Sequence, residues 1–365
     1  MSINEIIVYI MVGFMVLGAL DKIIGNKYGL GEKFDEGFMA MGSLAIAMVG
    51  VVSLAPVLAN LLKPVIVPIY TALGADPAMF ATTLLANDMG GYPLAMELAQ
   101  SQEAGLFAGL ILGAMMGPTI VFSIPVALGI IEKEDHKYLA KGILAGMITI
   151  PIGCLAGGLV AGFDFGMIIR NLIPIIIVAV LIALGLWKIP DKMIRGFTNF
   201  GKGVVVVITI GTAAIVVETL TGIVIIPGMA PVWDGIEIVG AIAIMLIGAF
   251  PMVFFITKVF QKPLMKMGKL LGMGDVAAAG MVATLANNIP MFGLMKDMDE
   301  RGKVLNVAFA VSAAFVFGDH LGFTAGVNRE MIFPMVVGKL VAGMTAVALA
   351  AMITPKNPAA EKEEV

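Results

Sequence analysis

One aspartate, Asp88, stands in a long apolar stretch of this 365-residue chain, and its position demands a chemical reason. It lies in Leu85-Ala86-Asn87-Asp88-Met89-Gly90-Gly91-Tyr92-Pro93, and a second stretch, Leu285-Ala286-Asn287-Asn288-Ile289-Pro290, repeats the opening of the first. A carboxylate near a bilayer centre costs about 2.5–3.5 kcal/mol on insertion scales, so it is seldom found there without a partner or a task. The helix expected just before Asp88 ends in carbonyls that carry the negative end of its dipole. Carbonyls and carboxylate together favour a small cation; the alternative is that Asp88 caps the helix that follows. Asn87, Asn287 and Asn288 offer donors and acceptors. They suit a hydroxyl group, or they cap the turns.

A second polar constellation is Phe317-Gly318-Asp319-His320-Leu321-Gly322. Adjacent helical residues point about 100° apart, so Asp319 and His320 face one ligand only if the helix unwinds, which the flanking Gly318 and Gly322 permit. His320 reads as a proton acceptor near neutral pH or as a buried donor to a carbonyl. In Gly117-Pro118-Thr119, Thr119 and the nearby Ser123 are candidate hydroxyl ligands, although hydroxyls in spans commonly bond the preceding turn. Glu218 is a further deep acid, a candidate coupling or path residue. Tyr92 and Phe292 follow the two breaks and are placed to face an amine. Strong quaternary-ammonium cages use several aromatics. With two Trp and five Tyr in the chain, a small primary amine fits better.

These residues need a membrane scaffold. Hydrophobic residues make up 59% of the chain and charged ones 13%, about half the charged share of a soluble domain, and the mean hydropathy is +1.01. Nine spans are expected at 3–24, 38–62, 104–131, 138–162, 171–190, 203–226, 236–260, 302–326 and 331–354. The segments 76–103 and 275–301 open apolar and then meet Asn, Gly and Pro, which break helices. Read as re-entrant hairpins, they sort the Lys and Arg residues: all 23 except Lys63, Arg170, Arg329 and Lys339 fall on one side. Cytoplasmic loops collect these cations, which puts the N-terminus outside and the C-terminus inside the cytoplasmic membrane. Lys339 is expected near the outer face, with its stem reaching the interface.

The halves also resemble each other. Lys63-Pro64 and Lys262-Pro263, Asp76 and Asp275, Leu85-Ala86-Asn87 and Leu285-Ala286-Asn287, Gly117 and Gly318, and Phe122-Ser123 and Phe323-Thr324 recur at a spacing of about 200 residues. The expected organisation is a first inverted repeat over 1–162 with its hairpin at 76–103, then a linker helix and cytoplasmic loop over 163–202. A second inverted repeat follows over 203–354 with its hairpin at 275–301, and a cytoplasmic tail over 355–365. Each repeat carries a short surface helix, 64–74 or 263–272. Inverted repeats with broken helices at the midplane are a recurring design of secondary transporters. The expected fold class is therefore an all-α polytopic membrane protein, elevator-transporter-like, similar to concentrative nucleoside transporters, and a homodimer or homotrimer.

Net charge of -3 argues against nucleic-acid partners. The single cysteine, Cys154, and two histidines exclude a thiolate or His-rich metal site, and neither cofactor nor ATP-binding loop is expected. Three stretches carry a likeness: 84–95, Gly117-Pro118-Thr119-Ile120-Val121-Phe122-Ser123 with its continuation to Gly129, and 317–326. The chain resembles the ethanolamine permease family (EutH) of bacterial ethanolamine-utilisation operons along its whole length. The resemblance implies uptake of ethanolamine, an ammonium at physiological pH, and no enzymatic activity. An amine-selective channel or, further off, a lipid-headgroup enzyme or sensor are the rival readings.

Overall fold

The computed structural model describes residues 1–355 and is helical throughout, with no strand among the described residues. In order the helices are α1 (Ile3–Ile23), α2 (Leu30–Ala72), α3 (Ala78–Leu84), α4 (Gly91–Leu98), α5 (Gln102–Leu106), α6 (Met116–Pro118) and α7 (Ile124–Ile130). They continue with α8 (His136–Val160), α9 (Phe165–Lys188), α10 (Pro190–Thr221), α11 (Val232–Leu270), α12 (Asp275–Thr284) and α13 (Ile289–Leu294). The last three are α14 (Glu300–Ala313), α15 (Asp319–Val327) and α16 (Ile332–Ile353). Eight helical runs are long and apolar enough to cross a bilayer, α5 to α7 counting as one run, Gln102–Ile130. The protein is a multi-pass membrane protein. The ninth expected span, 302–326, is two helices, because the chain leaves helical geometry between Ala313 and Asp319.

Three stretches differ from the sequence reading. The stretches 64–74 and 263–272 are not separate surface helices; they continue α2 and α11. Pro64, Pro68 and Pro263 sit inside those helices, where proline removes a hydrogen bond and bends the axis but neighbouring helices keep the run intact. The 43 residues of α2 extend about 65 Å at 1.5 Å per residue, twice a hydrocarbon core. Likewise 190–202 is not a loop: Pro190 starts α10, a position where the missing N–H costs nothing. The tail expected at 355–365 lies, beyond Pro355, outside the described residues.

α2 packs along α11 and is flanked by α1 and α10, while α8 packs along α16 with α14 and α9 beside it. Small residues make this possible where lipid tails replace water as solvent. A Cβ on Gly153 of α8 would lie 2.4 Å from the Gly338 carbonyl oxygen of α16, so the two backbones are in contact there. The outer faces of α9 and α10 expose Val180, Leu181, Val206 and Ile210, as lipid-facing helices do.

The segments around the two breaks fold back on themselves. Asp76 Oδ2 accepts from the Gln100 N–H at 3.0 Å, and Oδ1 caps α3 by accepting from Ala78 at 2.9 Å. Asp299 Oδ1 accepts from the Gly274 N–H at 2.9 Å, and Oδ2 from Gly302 at 3.0 Å. One carboxylate thus fastens the base of each short helix pair, α3 with α4 and α12 with α13. Between those arms the backbone opens: Leu85 and Ala86 are extended, Asn87–Met89 form a single 3-10 turn, and Gly90 takes φ 92°, which favours glycine.

Candidate functional site

Three irregular segments converge: the first break, the wide turn Thr119–Ser123 of the third span, and the unwound stretch between α14 and α15. Close approach of bare backbone holds them. A Cβ on Gly117 would lie 1.9 Å from the Leu85 carbonyl oxygen, and one on Gly318 would lie 2.2 Å from the Ala286 carbonyl oxygen. The second break adds hydrogen bonds, with Phe315 N–H donating to Thr284 O at 3.2 Å and Phe317 N–H to Leu285 O at 3.0 Å. Irregular backbone at membrane depth is tolerated where protein satisfies it, and these bonds do so.

The convergence forms a partly open cavity of about 40 Å³ lined by Asp88, Asp319, His320, Phe122 and Phe315, together with Ala86, Met89 and Pro118. A site needs about 10–15 Å³ of such space for one water, so a ligand of a few heavy atoms is the right scale. Asp319 opens α15 and Asp88 stands just before α4, so each carboxylate meets the positive end of a helix dipole. Asp319 and His320 line one cavity although both are helical, as the first two residues of α15; the chain is unwound before them, at 314–318, and not between them. Phe315 sits at φ 63°, a left-handed conformation that costs a bulky residue about 1–3 kcal/mol and clusters at functional sites. Its ring meets Phe122 edge-on at 5.6 Å and His320 at 5.2 Å.

The remaining residues singled out above fall into three groups. Asn288 is buried, donates from Nδ2 to Ser123 Oγ at 2.8 Å, and leaves Oδ1 unpartnered; Asn87 is buried with neither amide atom bonded to protein. Buried polar atoms are nearly always satisfied, which marks both amides as places for water or ligand. Thr119 spends its hydroxyl on the carbonyls of Met115 at 3.0 Å and Val311 at 2.9 Å, and Asn287 Oδ1 accepts from Ile289 N–H at 2.8 Å. These two hold backbone. Tyr92 packs edge-on against Phe323 at 5.7 Å, Phe292 is buried in α13, and Glu218 lies near the end of α10; none of the three lines the cavity.

Lys339 overturns its expected place. It is 1% exposed, donates from Nζ to the Ala114 carbonyl, and lies 2.9 Å from His320 Nδ1. A lone lysine in an apolar span was the available signal; a long stem that can reach the interface obscured it. Phe122 and Phe315, rather than Tyr92 and Phe292, supply the aromatic faces. Ring faces attract cations by about 0.5–2 kcal/mol. Phe122→Leu is expected to raise the half-saturating concentration of a transported amine about three- to tenfold with little change in maximal rate, measured by concentration-dependent uptake.

The family described as "Ethanolamine utilisation protein, EutH" matches residues 3–353. The chain is 72% identical to the probable ethanolamine permease EutH of Listeria monocytogenes, over 100% of this chain and 99% of that one. It is 56% identical to the probable ethanolamine permease EutH of Escherichia coli, over 98% and 97% of the two chains. Against the uncharacterized protein YxeR of Bacillus subtilis it is 57% identical, over 100% and 99%. No solved structure matches.

Proposed function

The chain belongs to the EutH family of ethanolamine utilisation proteins, and from that premise we propose that it carries ethanolamine across the bacterial cytoplasmic membrane. The observation that carries this reading is the pairing of two carboxylates, Asp88 and Asp319, with two phenyl rings in one small cavity. A primary ammonium is bound by carboxylates through charge-assisted hydrogen bonds and by ring faces through cation–π attraction. The hydroxyl then falls to an amide: neither Asn87 nor Asn288 lines the cavity, but Asn87 adjoins Asp88 in sequence, Asn288 bonds Ser123 next to Phe122, and both keep unpartnered amide atoms.

The mechanism we propose is alternating access, elevator-like or rocking, about an inverted repeat. Three contacts support it: α2 lies along α11 and α8 along α16, each pair spaced by about 200 residues, and the Leu85–Gly117 approach recurs as Ala286–Gly318. In this reading the α3–α4 pair enters the membrane from outside and the α12–α13 pair from inside, the N-terminus is outside, and the assembly is a homodimer or homotrimer. Uptake of labelled ethanolamine into proteoliposomes at mildly acidic pH tests the assignment. Saturable uptake above protein-free vesicles is expected, and its absence sinks the assignment. Trans-stimulation by internal ethanolamine is expected of a carrier and would be missing from a channel.

A further inference from the structure

Lys339 gives the cavity a charge count. Its Nζ donates to the Ala114 carbonyl and lies 2.9 Å from His320 Nδ1. An ammonium carries three donors, so this arrangement pins it in place with one proton left over. With Lys339 charged, Nδ1 can only accept, and His320 is then the neutral tautomer that carries its proton on Nε2. Two carboxylates, Asp88 and Asp319, line the cavity that His320 also lines. The helices packed around these groups, α2, α4, α8, α11 and α14, hold their charged residues mainly toward their ends, and the turn between α15 and α16 carries Arg329 and Glu330, both exposed. Their uncharged titratable groups include the phenol of Tyr92, at the start of α4, and the buried thiol of Cys154 within α8.

The fully ionised site therefore stands at two negative charges against one positive. It lacks a single cation. A net charge at membrane depth costs about 2.5–3.5 kcal/mol, which would slow any step that moves the site unneutralised by roughly 10²-fold. Building on the proposed transport of ethanolamine, we infer that the cavity is a one-cation site occupied alternately by the substrate ammonium and by a proton, with Lys339 setting that count. When the ammonium arrives, the carboxylic acid shared between Asp88 and Asp319 releases its proton to water and both carboxylates face cations. When the substrate leaves, a proton from water returns to one carboxylate. No covalent bond beyond O–H forms or breaks, and each turnover exchanges one ethanolammonium for one proton without moving net charge.

Full-length protein in vesicles containing a pH dye tests this at mildly acidic pH, with the leak of neutral amine subtracted using protein-free vesicles. One proton is expected to leave for each ethanolammonium taken up, and an imposed inside-negative potential is expected to leave the rate unchanged. Uptake that is driven by that potential without proton counterflow overturns the inference while the transport reading stands. No saturable uptake at all overturns the transport reading itself. Charge-balance variants give a second measure. Lys339→Gln and Asp319→Asn each alter the count and are expected to lower uptake about a hundredfold. The double variant K339Q/D319N restores a single missing cation around Asp88 and is expected to return within about tenfold of the parent. A double variant no better than the worse single one, with all three eluting as folded protein, also overturns the inference.

Discussion

Asp88→Asn is expected to abolish saturable ethanolamine uptake while the protein stays folded. The substitution keeps size and shape, so the first break retains its extended Leu85 and Ala86 and its 3-10 turn. What it removes is a formal charge in a cavity of about 40 Å³. Removing one partner of a buried charge pair costs about 3–5 kcal/mol, because the other charge is left uncompensated. Here the uncompensated charge belongs to the incoming ammonium, so the cost appears as lost affinity, roughly 10²- to 10⁴-fold. Stability should barely change, since the empty site is neutral with either residue: a proton balances the parent, and Asp319 balances Lys339 in the variant. Concentration-dependent uptake beside a thermal-denaturation curve separates the two effects. Near-normal uptake by the variant would take Asp88 out of the site, and a collapsed melting curve would make its role structural.

How much of this was legible beforehand follows from which signals are local. Asp88, Asp319 and His320 stood out because an ionisable group in an apolar run is costly wherever the fold puts it, and the cavity collects all three. The breaks at 85–90 and 285–288 were legible from Asn, Gly and Pro. The unwinding at Ala314-Phe315-Val316-Phe317 was only half legible. Gly318 hinted at it, but its sharpest feature, Phe315 at φ 63°, arises from backbone bonds to Thr284 and Leu285 of a distant segment. Lys339 was misplaced for a related reason: depth in the membrane is set by how α16 packs on α8 and α14, which no local pattern encodes. Thr119 and Asn287 show the reverse case. Their types suit a ligand, and tertiary contacts gave their polar atoms to the backbone instead.

Alanine at Gly117, and separately at Gly318, is expected to cost both stability and transport, although neither glycine touches the cavity with a side chain. A Cβ at Gly117 would meet the Leu85 carbonyl oxygen at 1.9 Å and its carbon at 2.2 Å, and one at Gly318 would meet the Ala286 oxygen at 2.2 Å. Side-chain rotation cannot relieve a clash with backbone, so a broken segment must move by about an ångström or more. Overpacking of this kind typically costs about 1–3 kcal/mol, visible as a lowered melting midpoint in detergent. The transport loss should be larger than the stability loss. Asp88 lies three residues after Leu85 and Gly318 precedes Asp319, so either shift carries a carboxylate out of register, and misplacement by about 1 Å is enough to cost roughly 10² in rate where geometry is critical. Gly240→Ala in α11 is the matched control. Nothing lies within 4 Å of its added Cβ, and alanine favours a helix by about 1 kcal/mol, so its melting midpoint should hold or rise and its uptake should match the parent. Unchanged uptake in Gly117→Ala would mean that the first break tolerates displacement, and the backbone contact would then be packing without consequence for the site.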